Sequence, residues 1–297
     1  MRILVTGSTG LLGTAVVERL RSSGHEVARL VRSEPSRDDE YQWSPARREL
    51  DEAALKGRDA VLHLAGESIA GGRWTAAKKQ RIRDSRVVGT SLIADRLAEV
   101  EGGPQTLVSV SGISYYGDRG DDWVHEQDPP GDLFLSDVCV DWEKSADAAR
   151  QAGLRVVHPR IGVVLSPDGG ALEQMLPPFK LGLGGRLGDG QQFLSWIALE
   201  DIVSLLVFCL ENENAAGPVN AVAPEPVRNE AFVETLGRVL RRPTIIPVPK
   251  IGIETLFGQM GRELLLASTR GSADRALGLG FQFAHTSLED ALRAELG

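Results

Sequence analysis

An α/β fold, built as a doubly wound parallel sheet with helices on both faces, is what this chain of 297 residues predicts. Three observations carry that expectation. Short apolar runs alternate with stretches of helical period through the first 165 residues. The runs are almost continuously apolar, as strands covered on both faces are. A glycine-punctuated turn joins the first run to the first helical stretch.

The elements follow in order. Residues 2–6 form an aliphatic and β-branched run that stops at Gly7, and they read as a strand. Residues 11–22 carry Leu12, Val16 and Leu20 at a spacing of four, and they read as a helix. Further strands are expected at 26–32, 60–64, 106–111 and 154–160, with helices at 74–99 and 136–152. Composition shifts after Val164. Pro177, Pro178 and Phe179 lead into a glycine-rich stretch, 181–190, that lacks a flanking strand and helix and reads as a mobile loop. Beyond it a helix is expected at 200–210, a strand at 218–222 and a helix at 229–240. The tail reads as an amphipathic helix from Ile251, a strand at 281–283, and a last helix opened by a capping box of Thr286 and Glu289. The resulting division is 1–165 for a nucleotide-binding half, its sheet completed by part of 195–225, and 166–297 for a smaller α/β lobe.

Composition excludes several function classes. Forty-one acidic against 33 basic side chains leave a net charge of -8, so no global basic field exists to hold nucleic acid. Two cysteines, Cys139 and Cys209, rule out a disulfide framework or a cysteine-built zinc site, and no histidine–carboxylate spacing suggests a metal. The apolar run at 202–210 is half the length of a membrane span. A cytoplasmic protein with a small-molecule substrate is expected, its oligomeric state open.

The turn after the first strand, Gly7-Ser8-Thr9-Gly10-Leu11-Leu12-Gly13, has the spacing G-x-x-G-x-x-G. Gly7 suits a tight turn, Gly10 a close approach to pyrophosphate, and Gly13 close helix–strand packing. The pyrophosphate then meets the N–H groups that open the helix. Arg32, at the end of the second strand, cannot accept a bond from a ribose hydroxyl but can pair with a 2′-phosphate, which favours NADP(H). The alternative is an ordinary solvated arginine. Leu64, Ala65 and Gly66 end the strand at 60–64, on the carboxyl edge where open α/β sheets bind ligands. Glu67 beside them either touches substrate or caps a helix. Arg86 interrupts the apolar stripe formed by Ile82, Gly89, Ile93 and Leu97, so it needs a partner: a cofactor phosphate or an internal carboxylate.

Thr6-Gly7-x-x-Gly10-x-x-Gly13, Leu64-Ala65-Gly66 and Tyr116-Gly117 resemble the extended short-chain dehydrogenase/reductases. Leu64-Ala65-Gly66-Glu67, Ser85-Arg86, Tyr115-Tyr116-Gly117-Asp118, Trp142-Glu143, the run from Pro177 to Gly185 and Val227-Arg228-Asn229-Glu230 narrow the likeness to the atypical NAD(P)-dependent epimerase family with a C-terminal domain of unknown function. The resemblance spans essentially the whole chain. It implies a Rossmann-like fold, NADP(H), and cofactor positions at Arg32, Leu64, Ala65, Arg81 and Arg86.

Active members of the wider superfamily pair a tyrosine with a lysine four residues later, plus a nearby serine or threonine. Here Leu135 aligns with the tyrosine, Cys139 with the lysine and Gly112 with the serine, so the usual triad is missing. Ser111 and Tyr116 remain as candidate proton or hydrogen-bond donors. Cys139 is either a nucleophile or a small buried hydrophobe. Pro159, Arg160 and Ile161, at a strand end beside His158, are expected near the nicotinamide. Glu67, Tyr115, Trp196 and Arg228 are expected to face substrate, although Tyr115 and Tyr116 could equally be wall packing.

Overall fold

The computed structural model describes residues 1–70 and 72–297. In chain order its elements are β1 (Arg2–Thr6), α1 (Leu11–Ser22), β2 (Glu26–Val31), β3 (Glu40–Ser44), β4 (Glu49–Leu50), β5 (Ala60–His63), α2 (Ala76–Glu99), β6 (Thr106–Ser109) and β7 (Ser111–Gly112). There follow β8 (Trp123–Val124), α3 (Phe134–Lys144), α4 (Asp147–Gln151), β9 (Arg155–Ile161), β10 (Val163–Leu165), α5 (Gly170–Lys180), β11 (Phe193–Leu194) and β12 (Trp196–Ala198). The chain ends with α6 (Leu199–Glu211), β13 (Gly217–Ala221), β14 (Val227–Arg228), α7 (Asn229–Leu240), α8 (Lys250–Phe257), a π-helical turn (Gly261–Leu266), β15 (Arg270–Gly271), α9 (Asp274–Gly278) and α10 (Leu288–Leu296).

The main sheet runs β13-β9-β6-β5-β1-β2-β3-β4, parallel except at the β3–β4 edge, with β7 extending the pairing on β9. Sequence order reverses between β1 and β5, which opens a crevice at their carboxyl ends. Strand alternation splits the core. Ile3, Val5, Leu62 and Val108 face α1 and α6, where Val16, Leu20, Ile202 and Leu206 complete one layer. Leu4, Leu30, Val61 and Leu107 face α2 and α4, with Leu92, Ile93 and Ala149 in the other. Each such side chain removed from water contributes about 1.5–3 kcal/mol. A smaller core joins Leu172, Phe179, Trp196, Phe232, Leu236 and Leu292 in the C-terminal lobe.

Several local expectations are corrected. The ribbon β3–β4, not expected from the sequence, extends the sheet edge; Trp43 is its one deeply buried aromatic anchor. The strand expected at 106–111 is interrupted at Val110, and the helix expected at 136–152 breaks at Ser145 into α3 and α4. Pro177 and Pro178 lie inside α5, a helix not expected from the sequence. Neither proline nitrogen can donate to the carbonyl four residues back, so the helix is held there by packing, with Leu172, Leu176 and Phe179 in the lobe core. The glycine-rich stretch is stitched rather than loose: Gly188 N–H donates to Val248 O, Val248 N–H to Arg186 O, and Leu187 N–H to Asn229 Oδ1. Residues 281–283 form no strand; Phe281 packs edge-on against Phe208 and Phe283. No capping box forms either. The last helix starts after Ser287 without a side-chain cap, and Glu289 pairs with Arg293 and Arg238 instead.

Candidate functional site

The crevice between β1 and β5 is shaped by backbone that tolerates no side chains. Gly7 has φ +68°, and a Cβ there would stand 2.9 Å from Ala65 N. At Gly13 a Cβ would stand 2.0 Å from the Gly7 carbonyl oxygen, so the first turn of α1 can lie against the loop only because that residue is glycine. Gly10 has open space instead, with Gly7 O at 3.5 Å as its nearest neighbour. No side chain caps α1 and its first turn holds no acidic residue, so its opening N–H groups are available to an anion.

A buried clamp aligns the two strand ends. Thr6 Oγ1 accepts from Leu64 N–H and Ala65 N–H, each at 3.2 Å. Its own proton therefore goes to His63 Nδ1, 2.7 Å away. That leaves the imidazole proton on Nε2, which has no partner among the described residues. Burial pulls the His63 pKa down to about 3, so the ring is neutral. Sequence reading missed this clamp, because Thr6 and His63 meet only when β1 and β5 pair in register.

Arg86 lies against Gly66, where a Cβ would be 3.4 Å from its Cζ. Its Nη1 donates to the carbonyls of Glu67 and Ile82, both at 3.0 Å, and its Cζ sits 5.0 Å from the centre of the Trp142 ring. The internal carboxylate is not there: Arg86 forms no ion pair among the described residues, and desolvation lowers its pKa. Trp142 is a neighbour of Arg86 that the arginine's place on the stripe alone could not reveal.

Glu67 caps no helix. Its carboxylate is held by Lys78 at 2.8 Å and Arg81 at 3.2 Å, and these cations keep it below the usual carboxylate range. Thr75 caps α2 instead. Arg32 is exposed at the end of β2 and forms no ion pair among the described residues, whereas nearby Arg29 is taken up by Asp39 and Glu40. Ser8, Thr9, Leu11, Leu12, Leu64 and Ala65 line the same strand ends.

Other candidates are drawn elsewhere. Tyr116 is fully buried; its hydroxyl donates to Asn220 Oδ1 and accepts from Arg160 Nη1, both at 2.8 Å. Burial pushes its pKa above the ordinary phenol value, so its geometry suits a structural hydroxyl rather than a proton donor. Arg160 is 2% exposed and grips Glu143 through two bonds of 2.8 and 2.9 Å. Burial disfavours its charge, but Glu143 and Tyr116 override that and raise its pKa. Its guanidinium is thus spent inside the protein, with Tyr115 packed 3.5 Å beneath it, so the expected cofactor contact fails for lack of a free donor face. Its neighbours Pro159 and Ile161 pair with Val219 and Ala221 of β13.

Cys139 is buried, its thiol points to Gly112 O at 3.7 Å, and burial pushes its pKa up to about 11. A nucleophile needs the opposite shift. Trp196 is 1% exposed and donates to Glu225 O from the lobe core, so it cannot face substrate. Ser111 is buried too, 3% exposed, and its Oγ has no hydrogen-bond partner among the described residues. Arg228 pairs with Asp121 at 2.9 Å. Leu135 lies under Met260 in a cluster with Trp74, Ile82 and Val138, so the C-terminal segment covers that position of α3.

Comparison with known proteins matches this architecture. The profile of the NAD dependent epimerase/dehydratase family matches residues 3–222, and that of a domain of unknown function (DUF1731) matches residues 248–295. The chain is 42% identical over 290 residues to an epimerase family protein of Mycobacterium tuberculosis, covering 98% of this chain and 96% of that one. The crystal structure of human epimerase family protein SDR39U1 with NADPH superposes with a TM-score of 0.90 at 34% identity, covering 99% of each chain. A nucleoside-diphosphate sugar epimerase from Corynebacterium glutamicum gives a TM-score of 0.81 at 36% identity over 100% of this chain and 58% of that one. Among the described residues no helix is long and apolar enough to cross a membrane. With a family profile covering most of its length and a parallel sheet that carries the glycine turn at its switch point, this chain belongs to the NAD-dependent epimerase/dehydratase family.

Proposed function

We propose that the chain is an NADP(H)-binding oxidoreductase or epimerase acting on a small polar substrate, in the cytoplasm and without a nucleic-acid partner. Residues 1–165 hold the nucleotide and 166–297 supply most of the substrate side. The observation that carries the reading is Arg86, a desolvated cation with no carboxylate partner, set against Gly66 at the sheet's switch point. An anionic ligand is the chemistry that completes it. The uncapped start of α1 receives the pyrophosphate, Arg32 the 2′-phosphate, and Leu64 to Gly66 the adenosine side. Bound there, the cofactor gives or takes a hydride. Ser111, with its unpartnered hydroxyl, donates a hydrogen bond to the substrate's carbonyl. The NADPH carried by the human relative supports the choice of cofactor.

A second reading is an NADP(H)-binding sensor without turnover. The burial of Leu135 and Cys139, where active relatives place tyrosine and lysine, favours it.

Calorimetric titration with NADPH and NADH tests the cofactor reading. NADPH is expected to bind at least tenfold tighter than NADH, and Arg32→Glu to erase that preference. Binding of neither nucleotide overturns the proposal; an unchanged preference in Arg32→Glu removes that residue from it. Turnover on a carbonyl panel that survives Ser111→Ala undiminished removes Ser111.

A further inference from the structure

Two short ribbons of the second half each place an arginine opposite an aromatic ring. In β8–β15, Arg270 is the register partner of Trp123, and its Cζ lies 4.1 Å from that ring's centre. In β11–β14, Arg228 is the register partner of Phe193, with its Cζ 4.5 Å from the ring. The ribbons meet because Arg270 Cζ is also 4.5 Å from Phe193. Trp123 is 42% exposed, which puts one end of the stack at the surface.

Both guanidiniums converge on one residue. Arg228 Nη2 pairs with the Asp121 carboxylate at 2.9 Å, and its Nη1 donates to Gln191 O. Arg270 Nη1 reaches only the Asp121 carbonyl, at 3.4 Å. It forms no ion pair among the described residues, and its buried Nε has no partner. Asp121 thus meets Arg228 through its carboxylate, whose side chain is 69% exposed, and Arg270 through its backbone carbonyl alone. Such a pair contributes little and exchanges readily with another anion. The rings meanwhile hold the guanidinium planes in place, so little rotamer entropy remains to be lost when an anion docks.

We propose that Arg228 and Arg270 form a preorganised site for a phosphoryl group of a ligand, with Asp121 as the internal carboxylate that the ligand displaces. This deepens the reading of Arg228 as a substrate contact and rests on it; it is independent of the cofactor crevice. Phosphate suits the site better than a carboxylate, because a dianion answers both cations and its oxygens match the planar donor forks.

The test is calorimetric titration of the full chain with inorganic phosphate and, in parallel, phenyl phosphate, each with and without saturating NADPH. Saturable binding is expected in both conditions. Arg270→Gln and Arg228→Gln should each weaken it tenfold or more, and Asp121→Asn should tighten it severalfold by removing the competitor. Tighter binding of phenyl phosphate that disappears in Trp123→Ala assigns an organic ester; equal affinities assign a free phosphate. If Arg270→Gln fails to give a cooperative melt, Arg270→Lys keeps the charge without the planar fork and should still weaken binding severalfold. Unchanged affinity in the arginine variants overturns the proposal, as does weaker binding in Asp121→Asn, which makes the stack a structural staple. Binding abolished by NADPH assigns the phosphate to the crevice and equally overturns it. Absence of NADPH binding leaves the comparison of variants intact, so failure of the cofactor reading is read separately.

Discussion

Arg160 is 2% exposed and Arg86 half-buried, yet the protein treats the two arginines in opposite ways. Arg160 is enclosed by Glu143 on its fork, the Tyr116 hydroxyl on one nitrogen, and the Tyr115 ring on its face. Arg86 has two backbone carbonyls and the face of Trp142. A buried charge without a counter-charge costs free energy, and folded proteins keep such an arrangement where a ligand completes it. Arg160 therefore belongs to the scaffold. Under the proposed function, Arg86 belongs to the site. Arg86 lies on α2 and Arg160 on β9; what separates them is the supply of carboxylates.

The comparison is broken most severely by Glu143→Ala. That change leaves Arg160 buried and unpaired, and it is expected to cost about 3–5 kcal/mol in urea denaturation. A loss below about 1 kcal/mol would show that water reaches Arg160 and that the two arginines are not different in kind.

Acid comes next, through the clamp that sets the crevice. His63 has a folded pKa of about 3 against about 6.5 when unfolded, so between those values the unfolded chain holds a proton that the folded chain does not. Its contribution is therefore intact above about pH 6.5 and is lost as pH falls toward 3, at about 1.4 kcal/mol per pH unit. Burial shifts His158 in the same direction, so it adds to the slope. Urea midpoints taken from pH 7 to 4 should fall less steeply for His63→Gln than for the parent. Parallel slopes would rule the clamp out as the titrating element.

Tyr116→Phe removes the hydroxyl between Arg160 and Asn220 and leaves both facing a ring edge. The expected loss is about 1–3 kcal/mol in the same measurement, the cost of unmade buried hydrogen bonds. If stability is kept but turnover falls, Tyr116 takes part in chemistry after all.

The smallest change in stability is expected from Arg86→Met. Removing a cation that has no carboxylate partner should shift unfolding by no more than about 1 kcal/mol, in either direction, because lost backbone bonds offset relieved desolvation. NADPH affinity should nevertheless fall at least tenfold. A large stability loss with unchanged affinity would move Arg86 into the scaffold beside Arg160.

What could be read from the chain alone was local or periodic. The limits of α1 and α7 follow from helical spacing bounded by glycine and polar residues, and they coincide with the expected 11–22 and 229–240. The glycine turn was legible because a tight turn and a close packing contact each need glycine at a set interval, and the backbone uses Gly7 and Gly13 in those two ways. The awkward placement of Arg86 on an apolar stripe was visible from spacing as well.

The identity of each partner was not. Whether a buried arginine meets a carboxylate depends on which loop crosses it, and Glu143, Tyr116 and Asn220 come from three separate elements. The same holds for the Thr6–His63 clamp, 57 residues apart in sequence, and for the Arg–aromatic stack, whose members come from four strands. Trp196 and Tyr116 carry side chains that suit a binding surface and a core equally well, so composition could not place them. Hydrophobic period and glycine spacing are set by each residue's own neighbours along the chain. Charge pairing and burial are set by what folds back over it, and only the tertiary structure decided which arginine was left without a carboxylate.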